Sequence, residues 1–313
     1  MVEHHLVIGL NAVLAAIDGE VPHVLCVQRE DGWGLPFGSF DPGQHRTFEI
    51  GLRDFVANQT AIPLGYVEQL YTFGDMGREA PRAQMRDGDV SDHIVSVGYL
   101  ALSPALAPPT LERTAWYSWY DYFPWEDWRQ GRPPSLNIVV TQLEKWAQSD
   151  IQKARLRTAF GLGGVDWEEE RALDRYELLY EAGLVEEAHR DRPEGFDGAP
   201  PEGTGQKMIS DHRRILATAI GRLRGKLRYR PIIFEMIPEF FTLTQLQTAI
   251  EAILGFQVHK QNLRRSLETA CLVEKTQSLA AATGGRPAAL YKASHLASEK
   301  HAPGLTLPRR RDG

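Results

Sequence analysis

At 313 residues, with 42% hydrophobic and 24% charged content, the chain has the composition of a soluble globular protein long enough for two or three domains. No apolar run reaches bilayer length and no signal-peptide pattern opens the chain, which argues against a membrane or secreted protein. Cys26 and Cys271 are isolated thiols without metal-ligand spacing, so both are expected as small buried hydrophobes in a reducing cytoplasm. The formal net charge of −6 is unevenly spread: residues 207–296 hold 14 Lys and Arg against 6 Asp and Glu, and residues 1–206 hold 17 against 33. A basic module on an acidic body favours phosphate-backbone binding at one end.

Residues 6–17 and 23–28 are two strand candidates around a turn at Asp18-Gly19. The next stretch, Trp33-Gly34-Leu35-Pro36-Phe37-Gly38, followed by a helix ending near Ile62, resembles the Nudix box. Laid on that motif, Gly38 matches, but Gln44 stands at the first Glu position. Arg53-Asp54 stands for Arg-Glu one residue late, and Ala57-Asn58, or Asn58-Gln59 in the shifted register, replaces the metal-binding Glu-Glu. Neutral side chains do not supply the charge that holds Mg²⁺ or activates water. The expectation is a Nudix fold with no catalytic residues, no metal and no required cofactor. Asp41, Glu49 and Asp54 are read as surface and helix-end acids.

Residues 94–102 read as a buried strand, and the aromatic run Trp116 to Trp128 as a packing seam where this domain docks on its neighbour. A helix fits Leu136 to Gln148. Asp166 is placed as the cap of a further helix with Trp167, Leu173, Tyr176 and Tyr180 as its stripe. Residues 190–206, rich in Gly, Pro and acids, read as a flexible linker of about 20–25 Å.

In the C-terminal part, Thr242 and Gln245 have capping-box spacing, and Gly255 stands where a left-handed helix cap belongs. A second helix over 259–270 puts Leu263, Leu267 and Ala270 on one face, with Gln261, Arg264, Arg265 and Glu268 on the other. Strands at 272–275 and 289–292 flank Thr283-Gly284-Gly285-Arg286-Pro287, the outline of a wing. Lys260, Gln261, Asn262, Arg264 and Arg265 are therefore expected at DNA bases and nearby phosphates, and Thr283, Arg286 and Lys292 at the wing contact.

The fold predicted is α+β: an N-terminal Nudix-like α/β/α domain (1–148), a helical connector and flexible linker (149–206), a C-terminal winged helix-turn-helix (207–296) and a basic disordered tail (297–313). With Gln69-Leu70-Tyr71-Thr72-Phe73-Gly74-Asp75, Arg222-Leu223-Arg224-Gly225-Lys226-Leu227, Asn262-Leu263-Arg264-Arg265 and Gly285-Arg286-Pro287-Ala288, it resembles the Nudix-related transcriptional regulators of NAD metabolism, the NrtR and NadQ type. That resemblance implies a dimeric repressor of NAD synthesis or salvage genes, acting on a palindromic operator. It also implies control by ATP, NAD or ADP-ribose in the Nudix-like domain. Arg29, Arg53, Tyr71, Phe73 and Asp75 are the residues offered for that pocket. An active Nudix pyrophosphohydrolase and an adaptor whose basic module contacts RNA or protein are the rival readings.

Overall fold

The computed structural model describes residues 6–75, 93–106, 113–280, 287–299 and 302–307. Its first unit is a seven-stranded mixed sheet. Strands β1 (Leu6–Asp18) and β2 (Val21–Arg29) form the expected antiparallel hairpin, with Gly19 at φ 56 in the turn. β1 also runs parallel to β6 (His93–Leu102), which pairs with β5 (Tyr66–Phe73). Short β3 (Gly32–Gly34) and β7 (Thr114–Ser118) lie on β2, and β4 (Phe37–Ser39) lies on β1. The unbroken apolar run of β1 is that of a central strand covered on both faces, and residues Gly9 to Ala16 are all buried.

Helix α1 (Phe48–Thr60) covers one face, packing Leu52 and Val56 on Leu10, Ala12, Val97 and Tyr99. It starts where the Thr47 hydroxyl accepts from Ile50 N–H and stops at Ala61, which is left-handed. The other face carries Val13, Ala15, Val24, Cys26, Leu100 and Leu102 into a core shared with the 18-residue helix α7 (His212–Tyr229). α7 approaches so closely that a Cβ on Gly98 would lie 3.0 Å from Ile215. The second helical layer of the sandwich therefore comes from residues expected in the DNA-reading unit. Burial of Cys26 follows the expectation, and its thiol is pushed up to about 12 by desolvation; Cys271 instead is exposed.

The aromatic run forms the expected seam through α2 (Trp119–Tyr122) and a 3-10 turn at Pro124–Glu126, with Trp119, Phe123 and Trp125 fully enclosed. Helices α3 (Pro134–Trp146), α4 (Asp150–Phe160), α5 (Ala172–Glu181) and α6 (Glu186–Asp191) build the middle layer. The expected cap at Asp166 is corrected: a 3-10 turn at Glu169–Arg171 precedes α5, and Trp167 packs on Phe160 and Trp128 instead.

Residues 190–206, expected as slack linker, are tied down. Arg192 lies over the Tyr180 and Phe196 rings, Gln206 N–H donates to Asp121 O at 2.8 Å, and Thr204 is buried. Gly205, at φ 79, passes so near Tyr122 that a Cβ would sit 2.2 Å from its carbonyl oxygen. Glycine here serves close approach, whereas composition alone reads it as flexibility. The tail is corrected in the same sense over 302–307: Leu305 and Leu307 are buried, Leu305 N–H donates to Leu227 O, and Thr306 N–H donates to the Ser266 hydroxyl at 2.8 Å. Arg309, Arg310 and Arg311 lie outside the described residues.

The C-terminal unit has α8 (Leu243–Leu254), α9 (Lys260–Thr269) and the hairpin β8 (Val273–Leu279) with β9 (Ala289–Ala293). Thr242 and Gln245 form the capping box in both directions, at 3.1 and 2.8 Å. Thr242→Ala is expected to lower the unfolding free energy by about 1 kcal/mol. Urea unfolding checks this, and an unchanged midpoint would mean that water replaces the cap at no cost. The wing residues Thr283 and Arg286 lie outside the described residues.

Candidate functional site

Helix α9 separates its faces sharply. Leu263, Ser266 and Leu267 are buried, while Lys260, Gln261, Asn262, Arg264 and Arg265 are all exposed. Arg264 is held along the helix by Glu268 at 2.8 Å, and Lys292 on β9 stands 3.3 Å from Glu274. Lys260, Gln261, Asn262 and Arg265 thus present one ammonium, two amides and one guanidinium outward. These are the groups that read guanine and adenine edges or touch phosphate.

The turn before α9 is pinned from inside: Glu251 Oε1 accepts from Val258 N–H at 2.8 Å and from the Gln247 amide at 2.9 Å. The end of α8 is pinned from outside. A helix leaves its last carbonyls without backbone partners. Here the Tyr120 hydroxyl donates to Ala252 O at 2.7 Å, Arg224 Nε to Ile253 O at 2.9 Å, and Trp128 N–H to Gly255 O at 2.6 Å. The aromatic seam and α7 together cap the first helix of the reading unit.

Behind that cap lies a buried charge hub. Glu126 is 1% exposed and receives Arg175 Nε at 2.5 Å and Arg224 Nη1 at 2.5 Å on its two carboxylate oxygens. Arg175 also donates to the Ala159 and Glu168 carbonyls and lies 4.0 Å over the Trp167 ring. Burial alone would raise the Glu126 carboxyl, but the two guanidiniums outweigh it and hold it below the usual carboxylate range. The hub ties the seam, α5, α7 and α8 into one body.

These contacts correct the reading of charge. All six basic residues of α7 are spent on acids of the body: Arg213 on Glu187, Arg214 on Glu177 and Asp211, Arg222 and Lys226 on Glu68, Arg224 on Glu126, and Arg228 on Glu169 and Glu170. Residues 233–293 alone hold 6 Lys and Arg against 5 Asp and Glu. Six of the fourteen basic residues assigned to the reading unit are therefore internal glue, and three of the six in 233–293, Lys260, Arg264 and Arg265, stand on α9.

The five residues offered for a ligand are not brought into one pocket. A register shift in β5 between Gln69 and Thr72 turns Tyr71 out to solvent and Phe73 into the core, with their rings 5.3 Å apart. The Arg214 guanidinium covers Phe73 at 5.2 Å and bonds Asp75. Arg53, on α1, is used within the fold, bonding Glu49 and the Leu64 and Gly65 carbonyls. Arg29 lies over Phe37 at 5.2 Å, and its Nε meets no hydrogen-bond partner among the described residues. Around the box, Gln44 bonds Asp41 and His45 pairs with Asp54 at 3.4 Å. Among the described residues, no group of three or more His, Cys, Asp or Glu converges as a metal site.

Sequence reading gave no role to His212, Glu126, Arg213 or Arg224. The two arginines stand eleven residues apart, three helical turns, and so share the buried face of α7. His212 locks α7 to the sheet: its Nδ1 accepts from Leu35 N–H at 2.9 Å and its ring meets Phe37 edge-on. Burial first, then Arg190 and Arg29, lower its pKa from 6.5 to about 3. A neutral folded-state histidine contributes stability that is complete above about pH 6.5 and declines as pH falls toward 3. The urea midpoint is therefore expected to drop between pH 7 and pH 5, and His212→Gln should flatten that slope; an equal slope in the variant would assign it elsewhere.

The fold and surface define a class: a Nudix-like α/β/α sandwich carrying a winged helix. Residues 233–293 match the family model of the NrtR DNA-binding winged helix domain, and the chain carries that domain. It is 40% identical over 85 residues to the ADPR responsive transcriptional repressor NtrR of Acinetobacter baylyi, a match covering 27% of this chain and 34% of the relative. The chain thus matches about a third of that curated relative's length. In structure it is similar to Shewanella oneidensis NrtR complexed with a 27mer DNA, with TM-score 0.55 and 21% identity over 92% of this chain and 93% of that one. A MutT/nudix family protein from Enterococcus faecalis gives TM-score 0.51 and 15% identity over 92% and 88%. At these identities the two structures share the fold, and they share it along nearly the whole chain.

Proposed function

We propose that the protein is a DNA-binding transcriptional repressor of NAD synthesis or salvage genes, controlled by a nucleotide bound to its Nudix-like domain. The observation that carries this is the outward face of α9, with Lys260, Gln261, Asn262 and Arg265 exposed on a helix held by a capped partner and followed by a two-stranded wing. The NrtR winged helix match supports DNA as the partner, and the Acinetobacter baylyi relative's response to ADPR supports an ADP-ribose type of effector over ATP or NAD. Ala57 and Asn58, where Nudix hydrolases carry metal carboxylates, support a pocket that binds without cutting. The protein acts in the cytoplasm as a homodimer, which places two copies of α9 on the half-sites of a palindrome about one helical turn apart.

The test is a mobility shift on DNA upstream of NAD-synthesis genes and of the protein's own gene, titrated with ADP-ribose, ATP and NAD. Asn262→Ala and Arg265→Ala are each expected to cost about 1–3 kcal/mol of operator affinity with the fold intact. Equal binding to random DNA at matched salt, or unchanged affinity in both variants, would remove the repressor reading. Metal-dependent release of phosphate or AMP from ADP-ribose would restore the hydrolase.

A further inference from the structure

Past the winged helix, residues 302–307 lie as a strap across the end of α7 and one flank of α9. Leu305 and Leu307 anchor it by burial. Leu305 N–H donates to Leu227 O at 3.0 Å, Thr306 N–H to the Ser266 hydroxyl at 2.8 Å, and Arg228 Nη1 to Leu307 O at 2.9 Å. The strap stands outside residues 233–293, which match the winged helix family model. Between it and α9 runs a groove of about 710 Å³. Asn262, Arg265 and Thr269 line one side, spaced so that they share one edge of the helix, and Thr306 and Leu307 line the other. Asn262, Arg265, Thr269 and Thr306 are exposed. Among the described residues that lining carries one guanidinium and no carboxylate.

Resting on the DNA-binding reading above, we propose that the strap adds a phosphate-backbone site beside the reading helix. Arg265 and the Thr269 and Thr306 hydroxyls take phosphate in the groove, and Arg309, Arg310 and Arg311, which follow the strap in sequence, take further phosphates of the same strand. A helix about 10–12 Å across nearly fills a major groove about 12 Å wide, so a strand of phosphates runs along each of its flanks. The edge that carries Asn262, Arg265 and Thr269 is one such flank, and the strap is fixed on it. An extended chain advances at most about 3.3–3.6 Å per residue, so the triplet begins within about 7 Å of Leu307 and ends within about 14 Å. Charge favours the assignment. Residues 233–293 hold 6 Lys and Arg against 5 Asp and Glu, a net of +1, and residues 308–313 hold 3 Arg against 1 Asp, a net of +2. A polyanion is bound by the phosphates a protein neutralises, and most of the net charge available for that follows the strap.

Binding of the full chain to operator and to random DNA, measured over a range of KCl concentrations, tests the site. The proteins compared are wild type, the triple variant Arg309→Gln, Arg310→Gln, Arg311→Gln, and Thr306→Glu, which sets a carboxylate in the groove on an exposed side chain. Each lost phosphate contact lowers the slope of log affinity against log salt by about 0.9, so the triple variant should lose about 2 to 3 from the slope. Both variants should bind about 10-fold or more weakly at 0.1 M salt. The loss should be equal on operator and random DNA, because phosphate contacts carry no sequence information. An unchanged slope in the triple variant, or unchanged affinity in Thr306→Glu, would overturn the site while wild-type operator binding keeps the DNA-binding reading in place. A loss confined to the operator would overturn it too, by assigning the tail to bases. No DNA binding by the wild-type chain would remove both.

Discussion

Glu126→Ala is expected to lower the unfolding free energy by about 3–5 kcal/mol, because it leaves the Arg175 and Arg224 guanidiniums enclosed without their counter-charge. The loss exceeds that of a surface ion pair, which contributes about 0–1 kcal/mol. Arg175 and Arg224 keep their bonds to the Ala159 and Ile253 carbonyls, so their positive ends stay in place while the carboxylate that balances them is gone. Glu126→Gln keeps the shape and one acceptor oxygen but loses the charge and turns the other oxygen into an NH2 donor facing a guanidinium, so it should fall between wild type and Ala. Urea unfolding measures the series, and a loss below about 1 kcal/mol for Ala would mean that water replaces the carboxylate. The depressed carboxyl also signs the pH dependence. Its stabilisation is full above the ordinary carboxyl pKa of 4.5 and is lost as pH falls through the lower folded value.

Gly255→Ala should cost about 2–4 kcal/mol and, unlike a core cavity, should act on the joint between the reading unit and the body. Gly255 sits at φ 81, a backbone conformation that costs an L-residue about 1–2 kcal/mol. In addition, an added Cβ would lie 2.3 Å from Glu126 O and 2.9 Å from the Tyr120 hydroxyl. The joint has to open to admit it, and the bond from Trp128 N–H to Gly255 O goes with it. Loss of stability with an unchanged operator response to ADP-ribose would show that the joint is structural only. The expected result is loss of both.

How much of this was legible in the sequence depends on how local the cause is. The capping box at Thr242 and Gln245, the left-handed Gly255 and the polar face of α9 follow from spacings of three and four residues, and they stand where those spacings put them. The β1–β2 hairpin and the aromatic seam were legible for the same reason. Non-local causes were not. Gly205 reads as slack until Tyr122 is seen against it, and Leu305 and Leu307 read as tail until α7 and α9 are seen beneath them. The charge excess was a correct count with a misplaced cause. Composition does not tell an arginine that faces solvent from one such as Arg224, which is buried against Glu126. Tyr71 and Phe73 stay in ring contact but differ in burial, one exposed and one enclosed, next to a β-bulge that no alternation of residues announces.

The outcome is a different mechanical picture of control. A head on a slack tether would reorient freely, so a ligand far away would bias it weakly. Here the sheet, α7, the seam and the end of α8 are one packed unit, so the proposed control requires that a ligand shifting α7 against the sheet also carry α8 and the reading unit. The measurement that tests this most directly is ADP-ribose affinity by calorimetry with and without saturating operator DNA, beside operator affinity with and without ADP-ribose. The account predicts that each ligand changes the other's dissociation constant by the same factor, about 5- to 150-fold. ADP-ribose and operator that bind without altering each other's affinity would contradict it.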